Sequence, residues 1–310
     1  MLRMQSIVRS TATAVFIAVA IQSFTVGVLA PRLPREVCRP GVRDTRSITV
    51  PKVRTVAILN EDGAINVSTH PRDVDAIEIK ADIRVYTQNS EQRLLAEQYL
   101  DSLIQVEQDN DMLRVISEPA ERPDGLDLRV DYKVVVPEGT HMNITGNFGN
   151  VLVSRGCGHI SVLGNNTDID IEEPVGNVTA KSTNGRIRVY DAAGDTRLET
   201  VNGSIYANMR GGSLNAATTN GHVYVTLLEP DVTSCDLTVT NGGITLVTVD
   251  GISAEITAAT GRGTIRSDLE FQEEEGVQRL RELHGVLGDG KTRLSLQSLN
   301  GDIWITRSAT

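Results

Sequence analysis

Three carboxylates stand at alternate positions in Asp168-Ile169-Asp170-Ile171-Glu172. In an extended chain alternate side chains share one face, so the three are candidates for a shared Ca²⁺ site built from oxygen ligands. Arg186 and Arg188 follow Asp168 and Asp170 at an offset of eighteen residues. Those four form the only acid–base set suited to a polysaccharide lyase, and the arginines also neutralise the carboxylates. The pattern therefore reads as an ion-paired, solvated face with no metal and no catalytic residue. The histidines, at 70, 141, 159, 222 and 284, are isolated in the sequence, and no zinc-type His or Cys spacing occurs. Gly261-Arg262-Gly263 lacks the helix and the further glycines of a phosphate loop and reads as a turn. Tyr206, His222 and Tyr224 form the one candidate ligand patch, because aromatic faces can cover the apolar face of a sugar. The competing reading of that patch is ordinary stacking on the surface. No cofactor is implied.

The elements that must position these residues follow a nine-residue rhythm. Glycines stand at Gly149, Gly158, Gly176, Gly185, Gly194, Gly203, Gly212 and Gly221, with Thr167 in the vacant slot. In alternate units Asn precedes the glycine: Asn184, Asn202 and Asn220, then again Asn300 before Gly301. The alternation doubles the period to eighteen, two strands and two turns per coil. Aligned by eighteen, Val151, Ile169, Ile187, Ile205 and Val223 fall in one column, and Ile160, Val178, Thr196 and Leu214 in another. Period two within each strand sends both columns inward. At the corners glycine suits a positive φ, and Asn tolerates it. Stacked Asn side chains can also hydrogen-bond along the axis. The expected fold is all-β: a single-stranded parallel β-solenoid of about eighteen residues per coil. The period slips by three residues near Glu229-Pro230-Asp231, because the next Asn-Gly is Asn241-Gly242.

Around this repeat the chain divides into further segments. Residues 1–30 read as a signal peptide or a signal-anchor helix, with Arg3 and Arg9 ahead of an uncharged stretch from Thr11 to Ala30. Both readings export the remainder, and the second makes the N-terminal segment a transmembrane helix holding the protein to the membrane. Residues 31–46, rich in Pro and Arg, read as a linker. Residues 47–140 read as a β-rich N-terminal cap with one short helix from Ser90, followed by the solenoid at 141–306 with a charged insertion at 267–290. Trp304 falls in the expected last coil, as part of a cap.

Net charge is −10, and residues 1–46 carry seven arginines against Glu36 and Asp44, so the rest stands at −15. Such an acidic body repels phosphate backbones, which argues against a nucleic-acid partner. Cys157 and Cys235 lie about four coils apart, beyond disulfide reach. With Cys38 they are expected as free thiols.

Several stretches resemble the bacterial putative-adhesin family of β-strand repeat proteins, a domain of unknown function. They are Asn60-Glu61-Asp62-Gly63-Ala64-Ile65-Asn66-Val67, the Asn-Gly-x-Ile/Val units, and the ending Leu283 to Gly290 with Leu299-Asn300-Gly301-Asp302-Ile303. The resemblance covers about residues 50–306 and implies an exported or membrane-anchored protein with no catalytic residues. The expected function is a non-enzymatic cell-envelope module, adhesion-like or structural, whose partners are envelope glycans or surface proteins. The alternatives are a lyase-like enzyme on a β-helix and a sensory or self-assembling domain.

Overall fold

The computed structural model describes residues 40–70, 74–117, 126–271 and 281–308. It opens with β1 (Pro40–Pro51), β2 (Thr55–Asp62), β3 (Ile65–Thr69) and β4 (Ala76–Tyr86). Residues 40–46 thus lie in a strand, although their composition suggests a linker. Val42 is buried and Ile48 and Val50 pack against the core, so the period of two reaches further back than the Pro and Arg content implies. One helix follows, α1 (Ser90–Tyr99). It begins at Ser90 as expected and is capped by Asn89, whose side chain accepts the Gln92 N–H at 2.8 Å. Then come the hairpin β5 (Gln105–Asp109) and β6 (Met112–Ile116), and β7 (Asp127–Val136).

The repeat is carried by β8 (His141–Val153), β9 (Ile160–Glu172), β10 (Val178–Asn184), β11 (Ile187–Ala192), β12 (Thr196–Asn202), β13 (Ile205–Asn220) and β14 (Val223–Asn241). All pair in parallel, predominantly at an offset of eighteen, as in Ile169↔Ile187↔Ile205↔Val223 and Ile160↔Val178↔Thr196↔Leu214. Both columns are buried, and each fully buried Ile or Leu contributes about 2 kcal/mol. Two register shifts between β13 and β14 lengthen the offset from eighteen at Met209↔Leu227 to twenty-one at Leu214↔Cys235. The chain ends with β15 (Ile244–Thr248), β16 (Ala254–Arg262), β17 (Ile265–Ser267), β18 (Glu282–Leu287), β19 (Thr292–Asn300) and β20 (Ile303–Arg307).

The expected single-stranded β-solenoid is not what these strands build. In such a solenoid every coil stacks on the coil before it. Here β19 pairs with both β14 and β16, and β20 with both β15 and β17, so the last rung of the sequence sits inside the stack. At the other end β2 lies between β6 and β8, and β3 between β7 and β8. Antiparallel pairs flank these rungs: β1–β4, β4–β7, β5–β6 and β16–β18. The result is an all-β fold, a parallel stack with out-of-order ends, antiparallel flanking strands and one short helix. The cause lies in the repeat: the rungs ending in Asn220-Gly221, Asn241-Gly242 and Asn300-Gly301 present the same aliphatic columns and the same corner, so the pattern does not specify which of them neighbours which. Trp304 accordingly does not cap an end. It sits on β20 within the stack.

The expected transmembrane helix, and with it membrane attachment through the N-terminal segment, has no counterpart among the described residues. Among the described residues no helix is long and apolar enough to cross a membrane. Residues 1–30, to which the signal or anchor was assigned, and Cys38 lie outside the described residues.

Candidate functional site

The corners are built by crowding more than by backbone handedness. A Cβ on Gly203 would lie 2.0 Å from the carbonyl oxygen of Gly185, and one on Gly221 would lie 2.0 Å from that of Gly203. The same holds for Gly185 over Thr167, Gly242 over Gly221 and Gly301 over Gly242. No side chain fits where one backbone passes this close above another. A positive φ is adopted at Gly149 (+132°), Gly212 (+68°), Gly242 (+141°) and, close to extended, Gly221 (+159°), but not at Gly158, Gly176, Gly185, Gly194, Gly203 or Gly301. The second corner is crowded in the same way, with Gly194 close to Gly176 and Gly176 close to Gly158.

Beside the first glycine column runs an unbroken amide ladder. Asn184 donates to Asn166 (2.9 Å), Asn202 to Asn184 (2.7 Å), Asn220 to Asn202 (2.8 Å), Asn241 to Asn220 (2.9 Å) and Asn300 to Asn241 (2.9 Å). It crosses both the three-residue slip and the out-of-order rung without a break. A hydroxyl column accompanies it: Ser182, Thr200 and Thr218 donate to the carbonyls of Thr167, Gly185 and Gly203 at 2.9–3.0 Å. Each rung thus answers the polar groups of the last.

The second corner carries side-chain acceptors. His141 Nδ1 accepts the His159 N–H (2.9 Å), His159 Nδ1 that of Asn177 (3.0 Å), Asn177 Oδ1 that of Asp195 (3.2 Å), and Asp195 that of Ser213 (3.0 Å). The two imidazoles, isolated in the sequence, stack at 4.8 Å between centroids. Partial burial, then the neighbouring His159 and Arg54, lower the His141 pKa below its usual value. Hydrogen bonds from the Ser213 hydroxyl and N–H lower that of Asp195. The spacing of eighteen between His141 and His159 was the signal for this column, visible only once the period was applied to polar residues.

On the outer face the carboxylates expected to be mutually paired with arginines are placed as follows. Asp170 and Arg188 form a two-point pair, Nε to Oδ1 and Nη2 to Oδ2, and this bond to Asp170 raises the Arg188 pKa. Asp168 chiefly accepts the Arg186 backbone N–H (2.8 Å), with the guanidinium a weaker 3.4 Å away. Among the described residues no group of three or more His, Cys, Asp or Glu is arranged to hold a metal ion. Cys157 and Cys235 are both buried free thiols. Burial pushes the Cys157 pKa up to about 12, and mainly burial raises that of Cys235, so neither is a reactive thiolate.

The aromatic patch comes together but does not form a platform. Tyr206 and Tyr224 stack at 4.8 Å with 8° between ring planes, and His222 stacks on Tyr224 at 5.1 Å. Parallel rings at the rung spacing cover each other's faces, so a sugar laid on the strip meets ring edges. His222 Nδ1 is also within reach of the Gly243 N–H, at 3.4 Å. The column continues through Thr245 to Trp304 and Arg266, whose guanidinium lies 5.3 Å from the Trp304 ring. Sequence reasoning missed this extension, because Trp304 joins Tyr206 and Tyr224 only through the out-of-order rung.

The periodic corners, the hydroxyl column and the amide ladder are features of a repeat that runs through most of the described chain. The family model described as Toastrack DUF4097 matches residues 24–306. The chain belongs to that family. No curated protein matches. Solved structures similar to this Toastrack chain include a putative adhesin from Bacteroides fragilis, 14% identical, with a TM-score of 0.47, covering 86% of this chain and 97% of that one. A putative adhesin from Parabacteroides distasonis is 11% identical, with a TM-score of 0.41 and coverages of 86% and 98%. One from Parabacteroides merdae is 12% identical, with a TM-score of 0.39 and coverages of 87% and 97%.

Proposed function

We propose that this Toastrack protein is a non-catalytic module of the cell envelope, adhesion-like or structural, whose working part is its rigid outer surface. The observation that carries the reading is the use of the repeating polar residues. Asn184, Asn202, Asn220, Asn241 and Asn300 are spent on the ladder, and Ser182, Thr200 and Thr218 on carbonyls of the rung below. The acid–base set with the best claim to lyase chemistry, Asp170 and Arg188, is closed on itself. A pair that satisfies its own hydrogen bonds is poorly placed to take a proton from substrate. Adhesion of cells displaying the full chain, compared with cells lacking it, tests the reading, together with incubation of the purified chain with acidic and neutral polysaccharides. Adhesion or envelope integrity that depends on the chain, with intact polysaccharide, is the expected outcome. Polysaccharide cleavage that disappears in Asp170→Ala would overturn it.

A further inference from the structure

Away from the repeat, β3, β4 and β7 form the floor of a cleft of about 390 Å³. Three rows of outward-facing residues cross it. Arg84 stands opposite Arg129, Asp82 opposite Asp131, and Lys80 opposite Lys133, which is followed by Asn66 on β3. Directly opposed antiparallel residues hold their Cβ atoms about 5 Å apart, and like charges so placed repel. The arginine row resolves its repulsion on the carboxylates: Arg84 reaches Asp82 at 2.7 Å and Asp131 at 3.1 Å, and Arg129 reaches Asp131 at 3.1 Å. The lysine row has no such relief. Among the described residues neither Lys80 nor Lys133 takes part in an ion pair. Two exposed lysines without an ion-pair partner therefore stand opposite each other on adjacent strands in the lining of a cleft, in a protein whose net charge is −10.

We propose that this cleft binds an acidic sugar, with Lys80 and Lys133 on its anionic group and the Asn66 amide beside them. Two lysines on opposed positions of adjacent strands can converge on an anion with several oxygens, and the amide supplies a further donor. The carboxylates decide the rest of the ligand. Asp82 and Asp131 line the same cleft, and a bare multiply charged anion would meet their repulsion. Asp131 is taken up by Arg84, Arg129 and the Ala64 N–H, but Asp82 meets only Arg84 and keeps lone pairs to which a hydroxyl group can donate. Amines along one row and carboxylates along the next thus fit a ligand with an acid at one end and hydroxyls at the other. The cleft has room for a monosaccharide unit. This inference rests on the cleft alone and stands or falls separately from the adhesion-like reading.

Titration of the full chain with glucuronate, glucose 6-sulfate, glucose and inorganic sulfate, followed by calorimetry at low and high salt, provides the test. Binding of one or both acidic sugars is expected, with glucose and inorganic sulfate each at least tenfold weaker and affinity falling as salt rises. Comparison of the uronate and the sulfated sugar tells which anionic group is preferred. The double variant Lys80→Gln, Lys133→Gln should lose at least tenfold in affinity, while Lys181→Gln, whose partner is Glu199 on the repeat, should lose none. Amide chemical-shift mapping on the unsubstituted protein should place the ligand on β3, β4 and β7, which keeps the test decisive if the double variant folds poorly. No binding of either acidic sugar, shifts confined to other strands, or inorganic sulfate bound as tightly as the sugars would each overturn the proposal.

Discussion

The corner ladder and the cleft over β3, β4 and β7 treat polar groups in opposite ways. In the ladder every amide meets a copy of itself one rung away, and the hydrogen-bonding groups of Asn184, Asn202, Asn220 and Asn241 are used in both directions. In the cleft the copy one strand away carries the same charge, as Lys80 meets Lys133 and Arg84 meets Arg129. Stacking identical residues is favourable for a group that both donates and accepts, and unfavourable for an ion. A protein built on repetition therefore stabilises itself with neutral amides and hydroxyls. Uncompensated ions stand out against that background as candidates for binding.

This contrast can be broken most forcefully at a corner. Gly203→Val places a side chain against the Gly185 carbonyl and should cost about 3 kcal/mol or more, read as a fall in the urea midpoint. An unchanged midpoint would mean that the rungs are further apart than described. Thr200→Val keeps the shape but removes the hydroxyl that serves the Gly185 carbonyl, for an expected loss of about 1–2 kcal/mol. Asn202→Ala cuts the ladder on both sides at an exposed position and should cost about 1 kcal/mol. In the cleft the sign should reverse. Lys133→Gln removes a like charge opposite Lys80 and should raise stability by a few tenths of a kcal/mol, seen as a small rise in Tm. A clear drop in Tm would show that Lys133 is held by contacts within the fold.

The smallest expected effect is a slope. His141 has a lowered pKa in the folded state, so the unfolded chain binds its proton more readily. Its contribution is fully present above the unfolded value of about 6.5 and is lost as pH falls through that value toward the lowered one. His141→Asn keeps an acceptor for the His159 N–H, as Asn177 does for Asp195, and should flatten this acid-side loss. Denaturation curves of the two proteins at several pH values below 7 check it; parallel curves would count against the assignment.

Much of the interior was legible in the sequence, because burial in a strand depends on local alternation. Val178, Ala180, Leu198 and Leu214 announce their inward orientation by position alone. The Asn ladder was legible too, since equal spacing puts like residues in register. The glycine corners were legible in position but not in cause: positive φ is a property of one residue, whereas the crowding at Gly203 involves a backbone eighteen residues away. The aromatic strip was half legible. Tyr206 and Tyr224 share the period, but ring faces that cover each other depend on side-chain rotation, which spacing does not set. The cleft left no trace in the repeat, because Lys80 and Lys133 meet across antiparallel strands separated by a long stretch of chain.

By itself the sequence determined the rung: which residues face inward, where the corners fall, and which amides stack. These depend on interactions repeated every eighteen residues, and a period is a one-dimensional quantity. Only the tertiary structure decided the order of the rungs, placing β19 and β20 inside the stack and β2 and β3 between later strands. Rungs that share inward columns and a corner do not fix their own order through the period, which repeats alike in each; the strands that do not repeat flank the stack. Those strands, β4 and β7 among them, also bring the two lysines together.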